Sequence, residues 1–266
     1  MKKERLDVLL VQKGYFDSRE KARSSIMAGV VFVDGEKVDK PGTKVGIDSK
    51  IFIKENVHPY VSRGGLKLEK AIKVFKIDLN EKVAIDIGAS TGGFTDCMLK
   101  NGAKKVFAVD VGYGQLAWEL RNDERVVCME RTNIRYVTRD QIGVLADFAA
   151  IDVSFISLKK VIPVAVDLLK EDGEILCLIK PQFEAGKDKV GKNGVVKDKD
   201  THREVIEDIL GFSIECGLKI KGLDFSPIKG PEGNIEFLAY LSKTEGTTSF
   251  DAKNIVEKSH EDLNLK

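Results

Sequence analysis

Apolar side chains recur at helical spacing in two short stretches near the start of the chain. The first runs from Leu6 to Val11, and the helix that it predicts ends at Gly14. Ser18 is a good N-cap for a second helix, which Gly29 closes. Short strand-like segments follow at 30–33, 36–38, 44–45 and 51–54, with a tight hairpin turn at Asp34-Gly35. This pattern predicts a small α+β module over residues 1–55.

From residue 83 onward, nearly continuous apolar segments alternate with amphipathic ones. Six of the apolar segments indicate buried strands, at 83–87, 105–109, 125–129, 148–153, 175–179 and 235–241. Another apolar segment, 161–169, indicates a buried helix. Such alternation predicts an α/β domain over residues 63–243, with a mostly parallel sheet and helices on both faces. A linker at 56–62 would precede it, and a polar tail at 244–266 with a short helix near Ile255 would follow.

The composition is that of an ordinary globular protein, with 42% hydrophobic and 32% charged residues among 266. No segment approaches the roughly 18 to 20 consecutive apolar residues that a membrane-spanning helix needs. The basic start of the chain lacks the apolar core of a signal peptide, so a cytoplasmic location is expected. Cysteine spacing and the presence of only three histidines predict reduced thiols and no metal site. The four cysteines are Cys97, Cys128, Cys177 and Cys216.

Basic residues are concentrated in the first part of the chain, although the net charge of the whole is only +1. Residues 1–63 carry thirteen Lys and Arg against nine Asp and Glu. This excess favours a polyanionic partner, whose phosphate groups the two predicted helices would contact without reading sequence. The candidate contacts are Arg5, Arg19, Lys21 and Arg23. The alternative interpretation is an ordinary solvated helix surface.

A glycine-rich segment from Asp86 to Phe94 follows the first predicted strand of the α/β domain and opens a helix. Glycines allow a sharp turn and a close approach of the backbone to a ligand, and helix N-termini offer free N–H groups. Ser90 stands where the dinucleotide fingerprint needs glycine, which disfavours NAD. Asp110 closes the next strand, 22 residues after Gly88, where a carboxylate binds ribose hydroxyls. The segment therefore predicts a nucleoside cofactor; a tight turn without a ligand is the alternative.

Asp86 narrows the choice of cofactor. A carboxylate at the end of the first strand suits the cationic methionine part of S-adenosylmethionine better than a pyrophosphate. We therefore expect S-adenosylmethionine to be the cofactor. The expected cofactor-binding residues are Asp86, Gly88, Ser90, Thr91, Gly92, Gly93, Phe94, Asp110, Asn133 and Asp152.

Four ionisable residues fall at the ends of predicted elements, namely Lys67, Asp152, Lys180 and Glu236. Asp152 ends the fourth predicted strand, Lys180 ends the next, and Glu236 lies in the last one. Ligands bind at the carboxyl ends of the strands in an open α/β sheet. A lysine at the end of a strongly apolar strand, together with an aspartate, therefore favours a catalytic role. A buried salt bridge between Lys180 and Asp152 is the alternative.

Several short motifs are specific enough to compare with known families. They are Arg5-Leu6-Asp7, Ser18–Ala22, Ser62–Leu68, the glycine-rich segment, Asp110–Leu116, Glu130–Asn133 and Lys180–Glu184. Together they resemble the TlyA family, which joins an S4-type RNA-binding module to an FtsJ-like methyltransferase domain. The resemblance covers nearly the whole chain. One departure is His58-Pro59-Tyr60-Val61, where some relatives have a basic residue, any residue, Trp and Val.

The resemblance implies a Rossmann-like, S-adenosylmethionine-dependent methyltransferase domain that methylates the ribose 2′-hydroxyl of ribosomal RNA. The family's Lys-Asp-Lys-Glu tetrad carries over to Lys67, Asp152, Lys180 and Glu236. We expect Lys180 to be the general base, with Lys67 and Asp152 setting its protonation and position. Lys67 would also stabilise the developing alkoxide, and Glu236 would orient Lys67 or the ribose. The reaction needs no metal.

Further basic residues of the α/β domain are candidates for RNA contacts. In the segment 182–196, glycines stand among lysines, which predicts a mobile loop suited to phosphate groups. An ordinary solvated loop is the alternative. The individual candidates are Arg63, Arg131 and Arg135. With the N-terminal module, these residues would dock ribosomal RNA or a ribosomal subunit.

Three other classes of protein compete with this interpretation. A non-enzymatic RNA-binding or ribosome-assembly factor would keep the fold without the chemistry, and the intact loop and tetrad argue against it. A pore-forming haemolysin, a name that the family carries, would need a membrane-spanning segment or a long amphipathic hairpin. An NAD-dependent oxidoreductase is disfavoured by Ser90 and by the lack of an evident histidine for hydride transfer.

Overall fold

The computed structural model describes residues 2–16, 18–27, 29–54 and 58–264. Within these ranges, the strands form a two-stranded, a three-stranded and a seven-stranded sheet. The two small sheets belong to the N-terminal part and the large sheet to the rest of the chain. The predicted linker, 56–62, falls in part on residues that lie outside the described ranges.

The N-terminal part combines helices with short strands. Its described elements are β1 (Lys3–Arg5), α1 (Leu6–Gln12), α2 (Arg19–Met27), β2 (Val31–Val33), β3 (Glu36–Lys37), β4 (Lys44–Gly46) and β5 (Ile51–Ile53). β1 pairs with β4, and β2 pairs with β3 and β5, all antiparallel. Asp34 and Gly35 have positive φ angles of 52° and 88°, as a tight hairpin between β2 and β3 requires. The predicted α+β character of this part is confirmed.

A small apolar core holds these elements together. Leu6, Leu10, Ile26 and Val31 are fully buried where α1 and α2 pack on the strands. The sequence does not predict β1, because its Lys-Glu-Arg segment carries no apolar alternation. Its extended conformation comes with the pairing to β4.

A buried carboxylate links the two N-terminal helices. Asp7 is fully buried and accepts hydrogen bonds from Arg5 Nε at 3.0 Å and from an Arg19 nitrogen at 2.9 Å. The bonds from Arg5 are the main cause that lowers the pKa of Asp7 to about 2, with burial opposing them and Arg19 adding to them. Two predicted RNA contacts are therefore half-exposed partners of an internal carboxylate. The other two, Lys21 and Arg23, are exposed on α2.

We expect this cluster to stabilise the N-terminal part above about pH 4 and to lose that effect as the pH falls toward 2. Between these values the unfolded chain protonates Asp7 while the folded chain does not, so acid favours unfolding. Because both arginines are half exposed, solvent limits the contribution to on the order of 1 kcal/mol. Urea unfolding of the full chain, followed through the NMR signals of α1, should show a loss on acidification that Asp7→Asn lacks.

The exposed Asp48 offers a control, because Asp48→Asn should keep the acid dependence of the wild type. An equal loss of stability in the wild type and in Asp7→Asn would contradict the assignment.

The second part is built on the seven-stranded sheet. Its strands are β6 (Val83–Ile87), β7 (Lys105–Val109), β8 (Val126–Met129), β9 (Ala146–Ile151), β10 (Leu169–Ile179), β11 (Lys219–Phe225) and β12 (Phe237–Ser242). Their order is β11-β12-β10-β9-β6-β7-β8. The five strands from β10 to β8 are parallel, and β12 runs antiparallel to both of its neighbours. The predicted mostly parallel α/β sheet is confirmed.

Helices cover both faces of this sheet. They are α3 (Gly65–Phe75), α4 (Gly93–Lys100), α5 (Trp118–Arg121), α6 (Arg139–Ile142), α7 (Ile162–Leu168), α8 (Pro181–Glu184), α9 (Lys199–Glu215) and α10 (Ala252–Asn264). On one face, α3 and α4 bury Leu68 and Met98. On the other face, α7 and α9 bury Ile162 and Ile206.

β10 is longer than predicted, and the sequence analysis does not predict β11. Leu169 begins β10 directly after α7, and a register shift between Leu169 and Glu174 accommodates the charged residues between them. In β11, Gly222 interrupts the apolar pattern and lies against the ring of Phe75, where a β-carbon would come within 2.4 Å. Edge strands with such interruptions give a weak sequence signal.

Residues that follow the sheet are packed against it. Ala252, Val256 and Leu263 of α10 are buried in the same core as α9. The segment that the sequence analysis describes as a polar tail therefore carries an amphipathic helix, which includes the short helix expected near Ile255.

The segment before α3 lies on α4. The buried Tyr60 ring fills the space beside Gly65, where a β-carbon would come within 2.4 Å. Val61 N donates to Asp96 Oδ2 at 2.9 Å, and Lys100 Nζ donates to the carbonyl of Pro59. Residues of the predicted linker thus pack with the second part of the chain.

Among the described residues, no helix is both long and apolar enough to cross a bilayer. In the same ranges, no group of three or more His, Cys, Asp or Glu side chains is arranged to hold a metal ion. Cys97, Cys128, Cys177 and Cys216 are free thiols; the first and third are buried and the others partly exposed.

Candidate active site

A cleft of about 230 Å³ opens at the carboxyl ends of β6, β9 and β10. Its walls come from the loops after these strands, from the start of α3 and from the turn before β12. Ligands bind at this edge in open α/β sheets. The lining residues are Ser62, Arg63, Gly64, Lys67, Gly88, Ala89, Ser90, Thr91, Gly93, Phe94, Asp152, Ser154, Lys180, Pro231 and Glu236.

Two lysines and two carboxylates form a chain of alternating charge in this cleft, which we call the tetrad. Lys180 Nζ lies 2.5 Å from Asp152 Oδ1, and Lys67 Nζ lies 3.5 Å from Asp152 Oδ2. Lys67 Nζ also lies 2.6 Å from Glu236 Oε2. The structure therefore brings the four predicted catalytic residues together, and none of their side chains is more than 18% exposed.

The alternation of charge offsets the burial of these groups. Burial opposes the charged form of Lys67, but the carboxylates of Asp152 and Glu236 outweigh it and raise the pKa of Lys67. Burial likewise opposes the ionised form of Asp152, but Lys67 and Lys180 outweigh it and lower the pKa of that carboxyl. Lys67 is therefore a fixed cation and Asp152 a fixed anion at neutral pH.

Lys180 stands at the junction of β10 and α8. Its Nζ donates to Ser154 Oγ at 3.1 Å in addition to contacting Asp152. Pro181 begins α8, and because proline has no N–H it cannot continue the pairing of β10. The strand and the proline together fix the direction from which the Lys180 side chain enters the cleft.

The turn before β12 places Glu236. The backbone oxygen of Glu236 accepts from Ser226 N at 2.8 Å. A β-carbon on Gly230 would come within 2.9 Å of Glu236 Oε1, so the absence of a side chain there leaves room for the carboxylate. The Glu236 side chain is only 2% exposed, and Lys67 is its charged partner.

The glycine-rich loop after β6 packs tightly against the tetrad. Gly88 has a φ of 88°, and a β-carbon there would lie 2.5 Å from the carbonyl oxygen of Asp152. Gly93 begins α4, and a β-carbon there would lie 2.3 Å from Ser62 Oγ. Glycine is therefore required at both positions. As a result, the loop backbone runs directly beside the backbone of Asp152.

Two carboxylates hold this loop in place. Asp86 is fully buried, and its Oδ2 accepts from Thr95 N at 2.8 Å and from Thr95 Oγ1 at 2.6 Å. Burial raises the pKa of Asp86 to about 7, and its buried Oδ1 has no hydrogen-bond partner in the described part of the chain. Asp110 accepts from Ser90 N at 2.8 Å and from Gly112 N at 2.7 Å.

Four of the predicted cofactor residues lie outside the lining of the cleft, namely Asp86, Gly92, Asp110 and Asn133. The first three belong to the loop or support it, as just described for the two carboxylates. Asn133 instead caps a short 3-10 turn, and its Oδ1 accepts from Arg135 N at 3.1 Å. Its role in cofactor binding stays a prediction.

The predicted RNA contacts of this part are all exposed. Arg63 is an exposed lining residue. The guanidinium of Arg131 lies 4.0 Å from the ring centre of Tyr113, and that of Arg135 lies 5.4 Å from the ring centre of Tyr136. Such pairs present a flat cationic and aromatic surface to solvent. Contact with RNA stays a prediction for all three arginines.

The segment 182–196 begins in α8 and contains a 3-10 turn at Lys187–Lys189. Val196, at its end, is only 2% exposed. The expected mobility of this segment stays a prediction.

Phe155 is a candidate functional residue that the sequence analysis misses. It is 91% exposed and has a φ of 63°, which is strained for a bulky side chain. Its ring lies 4.9 Å from that of Phe183, and it follows directly after Ser154, which lines the cleft. A strained backbone and an exposed aromatic ring, directly after a residue that lines the cleft, indicate a role in ligand contact. In the sequence, Phe155 lies between the apolar Val153 and Ile156 and so looks like a core residue.

A partly buried glutamate, Glu184, fixes the loop that carries Phe155. Glu184 accepts from Ser157 Oγ at 2.6 Å and from Leu158 N at 2.8 Å. Burial raises the pKa of Glu184. Because Glu184 ends the helix that Lys180 precedes, the loop after β9 and the loop after β10 are tied to each other.

Comparison with protein families agrees with this architecture. A model of the FtsJ-like methyltransferase family matches residues 60–243, and a model of the S4 domain matches residues 4–51. The sheet and cleft thus define a Rossmann-like methyltransferase. The chain belongs to the TlyA family, in which an S4 domain and an FtsJ-like methyltransferase domain occur in one polypeptide.

Individual relatives extend over nearly the whole chain. A candidate rRNA methyltransferase of Bacillus subtilis, YqxC, is 51% identical over 100% of this chain and 97% of its own length. The 16S/23S rRNA (cytidine-2′-O)-methyltransferase TlyA of Mycobacterium tuberculosis is 41% identical over 97% of both chains. The solved structure of a candidate hemolysin from Streptococcus thermophilus is 48% identical, covers 100% of this chain and 98% of its own, and superposes with a TM-score of 0.78.

Proposed function

We propose that this protein transfers a methyl group from S-adenosylmethionine to a ribose 2′-hydroxyl of ribosomal RNA. The observation that carries the proposal is the tetrad, in which the Lys180 amine shares the Asp152 carboxylate with the Lys67 ammonium at the edge of the cofactor loop. Relatives named as rRNA (cytidine-2′-O)-methyltransferases support the choice of substrate. We accordingly propose that the reaction takes place in the cytoplasm.

The residues of the loop fit S-adenosylmethionine. The glycine backbone at Gly88 and Gly93 allows a close approach, and Asp110 retains lone pairs that accept ribose hydroxyls. The buried Oδ1 of Asp86, which has no partner among the described residues, is an acceptor on the methionine side of the site. The other proposed contacts are Ser90, Thr91, Gly92, Phe94, Asn133 and Asp152. Bound there, the cofactor supplies an electrophilic methyl group on a sulfonium.

The protein's own residues then accept one proton and stabilise one developing negative charge. A ribose hydroxyl is a poor nucleophile unless it loses its proton as it attacks, and Lys180 in its neutral form accepts that proton. Lys67, a fixed cation, stabilises the alkoxide that develops on the ribose oxygen. Asp152 holds both lysines, and Glu236 orients Lys67 at 2.6 Å. Most of the rate comes from this fixed alignment.

We further propose that the two parts of the chain have different roles. Residues 1–55 dock the RNA through phosphate contacts, and residues 63–243 carry the reaction. The proposed docking residues of the first part are Arg5, Arg19, Lys21 and Arg23, and those of the second are Arg63, Arg131 and Arg135. Because Arg5 and Arg19 each use part of their guanidinium on Asp7, the donors that remain available to phosphates are held in a fixed orientation.

Methyl transfer to ribosomal subunits tests the proposed function. The purified protein is incubated with radiolabelled S-adenosylmethionine and with each subunit, or free rRNA, from a strain that lacks the protein. Label that resists alkaline cleavage at one nucleotide supports ribose methylation and reveals the target. No label on any substrate, together with no binding of the cofactor, would favour a non-enzymatic RNA-binding factor.

Phe155→Ala is expected to raise the KM for RNA about tenfold, because stacking of a base on an aromatic ring is worth about 1 to 3 kcal/mol. Affinity for S-adenosylmethionine should not change, since the ring is exposed to solvent. Steady-state methylation at varied RNA concentration, with binding of the cofactor measured by calorimetry, checks both expectations. Val144→Ala is a control, because Val144 is exposed and precedes the amino end of β9, whereas the cleft lies at the carboxyl end of that strand. An unchanged KM in Phe155→Ala would rule out this contact.

A further inference from the structure

Two histidines join α9 to α10 on the face of the sheet away from α3. His202 on α9 is fully buried, and its Nδ1 lies 3.0 Å from Nε2 of His260 on α10. Its other nitrogen, Nε2, lies 3.1 Å from the backbone oxygen of Val196. The ring also packs edge-on against Phe237 of β12, with 5.4 Å between the ring centres.

These contacts fix where the protons lie. A carbonyl oxygen only accepts, so His202 Nε2 must carry a proton and donate it to Val196. In a neutral imidazole, Nδ1 is then the acceptor, and the proton in the bond between the rings belongs to His260 Nε2. Each ring therefore has one defined tautomer: the Val196 oxygen sets that of His202, and His260 donates to the nitrogen that this leaves as acceptor.

The neutral state of the pair is consistent with its surroundings. Burial, followed by the neighbouring His260, lowers the pKa of His202 to about 4, against the opposing effects of the hydrogen bond to Val196 and of Asp198. Burial also lowers the pKa of His260, together with Lys199 and Lys229, and Asp198 again opposes this. Both rings are therefore uncharged near neutral pH.

The hydrogen bond from His202 ends at Val196, which is bonded in turn to Asn234, in the turn before Glu236. Val196 N donates to Asn234 Oδ1 at 2.9 Å, and Asn234 Nδ2 donates to the oxygen of Gly194 at 2.8 Å. Asn234 is 1% exposed, and its own backbone oxygen accepts from Gly230 N at 2.9 Å. One asparagine thus ties the end of the segment 182–196 to the turn 230–234.

This turn determines the position of a tetrad member. Gly230 packs against Glu236 Oε1, and Glu236 follows Asn234 by two residues. Glu236 in turn contacts the Lys67 ammonium at 2.6 Å. A continuous set of contacts therefore runs from α10 through both histidines, Val196 and Asn234 to the Glu236 carboxylate.

We propose that His202 and His260 are positioning residues for methyl transfer, and that α10 is part of the catalytic unit because it supplies the second of them. α10 lies beyond the residues that match the methyltransferase family model, 60–243. The rings contact neither the cleft nor the tetrad. They act by holding the segment 182–196 and the turn 230–234 in a fixed relative position. The proposal rests on the proposed function for its kinetic consequence.

His260→Ala is the first variant to measure, because His260 is partly exposed and its loss leaves the fold intact more readily than loss of His202. We expect kcat for RNA methylation to fall about fivefold to tenfold, the effect of about one hydrogen bond, while the KM for S-adenosylmethionine is unchanged. His260→Gln should recover most of the loss, since its amide nitrogen can donate to His202 Nδ1. Lys258→Ala, at an exposed position of α10, is the matched control.

A second measurement does not depend on methyl transfer. Nitrogen-15 NMR of the histidine rings should show the Nε2–H tautomer for His202 in the wild type and in both variants of His260. Only in His260→Ala should the Nδ1 signal move toward that of an acceptor without a hydrogen bond, because the donor on His260 is gone. Absence of the Nε2–H tautomer in the wild type would overturn the proposal. So would an unchanged kcat in a folded His260→Ala, or a loss that His260→Gln does not recover. If the wild type shows the tautomer but no methyl transfer to any RNA, the proposed function fails and the arrangement of the histidines stands.

Discussion

Replacing Lys180 by alanine is expected to lower the single-turnover rate of methyl transfer by about 10² to 10⁴-fold, the range over which general bases contribute. Its Nζ contacts one carboxylate, that of Asp152, and the hydroxyl of Ser154. The other lysine that lines the cleft, Lys67, contacts two carboxylates. Affinity for S-adenosylmethionine should stay within about threefold of wild type, because the change removes a proton acceptor rather than a cofactor contact. Rapid-quench kinetics and calorimetry measure the two quantities.

Two further variants separate proton transfer from charge. Lys180→Arg keeps the positive charge but cannot release its proton near neutral pH, so it should be as inactive as Lys180→Ala. Lys160→Ala removes an exposed lysine of the neighbouring loop and should leave the rate unchanged. Substantial turnover in Lys180→Arg would show that Lys180 serves as a cation, and the role of base would then have to be given up.

Gly88→Ala is expected to abolish tight cofactor binding and to destabilise the fold by more than about 2 kcal/mol. The φ of 88° strains any L-residue, and the added methyl group would lie 2.5 Å from the Asp152 carbonyl. Either the glycine loop or the end of β9 must then move, and both belong to the site. Thermal unfolding and titration with S-adenosylmethionine report the two effects.

Gly114→Ala is the matched control for this prediction. Gly114 also has a positive φ, of 67°, but a β-carbon there would meet no atom within 4 Å. Its alanine variant should therefore show only the backbone strain, about 1 to 2 kcal/mol, with cofactor affinity retained. Equal losses of cofactor affinity in the two variants would show that backbone strain, and not the contact with Asp152, causes the loss of binding.

The sheet could be predicted where strands are buried on both faces. The apolar segments 83–87 and 105–109 coincide with β6 and β7, because strands in the middle of a parallel sheet are buried on both faces and are mostly apolar. The same reasoning misses β11, whose edge position and Gly222 leave too few apolar residues for a pattern. An apolar segment therefore indicates a strand that is buried on both faces; strands at the edge of the sheet lack this pattern.

The tetrad could be anticipated because its members stand at element ends that topology brings to one edge of the sheet. The pairing of individual side chains could not. Arg5 and Arg19 look like free cations in the sequence, yet both donate to Asp7, which lies only two residues from Arg5. An aspartate at the start of an amphipathic helix gives no sign that it will be buried. The exposed side chain of Phe155 is the converse case, since an apolar segment gives no sign that one member will face solvent.

The histidine pair was beyond sequence analysis for a related reason. His202 and His260 are 58 residues apart, and neither belongs to a motif. Only the packing of α10 on α9 brings the rings together, and α10 lies in a segment whose composition indicates a polar tail. Long-range contacts between helices of ordinary composition leave no local pattern.

The place of β12 in the sheet has a consequence for synthesis of the protein on the ribosome. β12 is inserted between β10 and β11, although residues 180–218 and 226–236 separate these three strands along the chain. During translation, β10 therefore keeps one unpaired edge until residues 237–242 have left the exit tunnel. An apolar strand with a free edge is a site for aggregation, and pairing over long sequence separations is slow. The cleft, which Glu236 also lines, forms only when this interval ends.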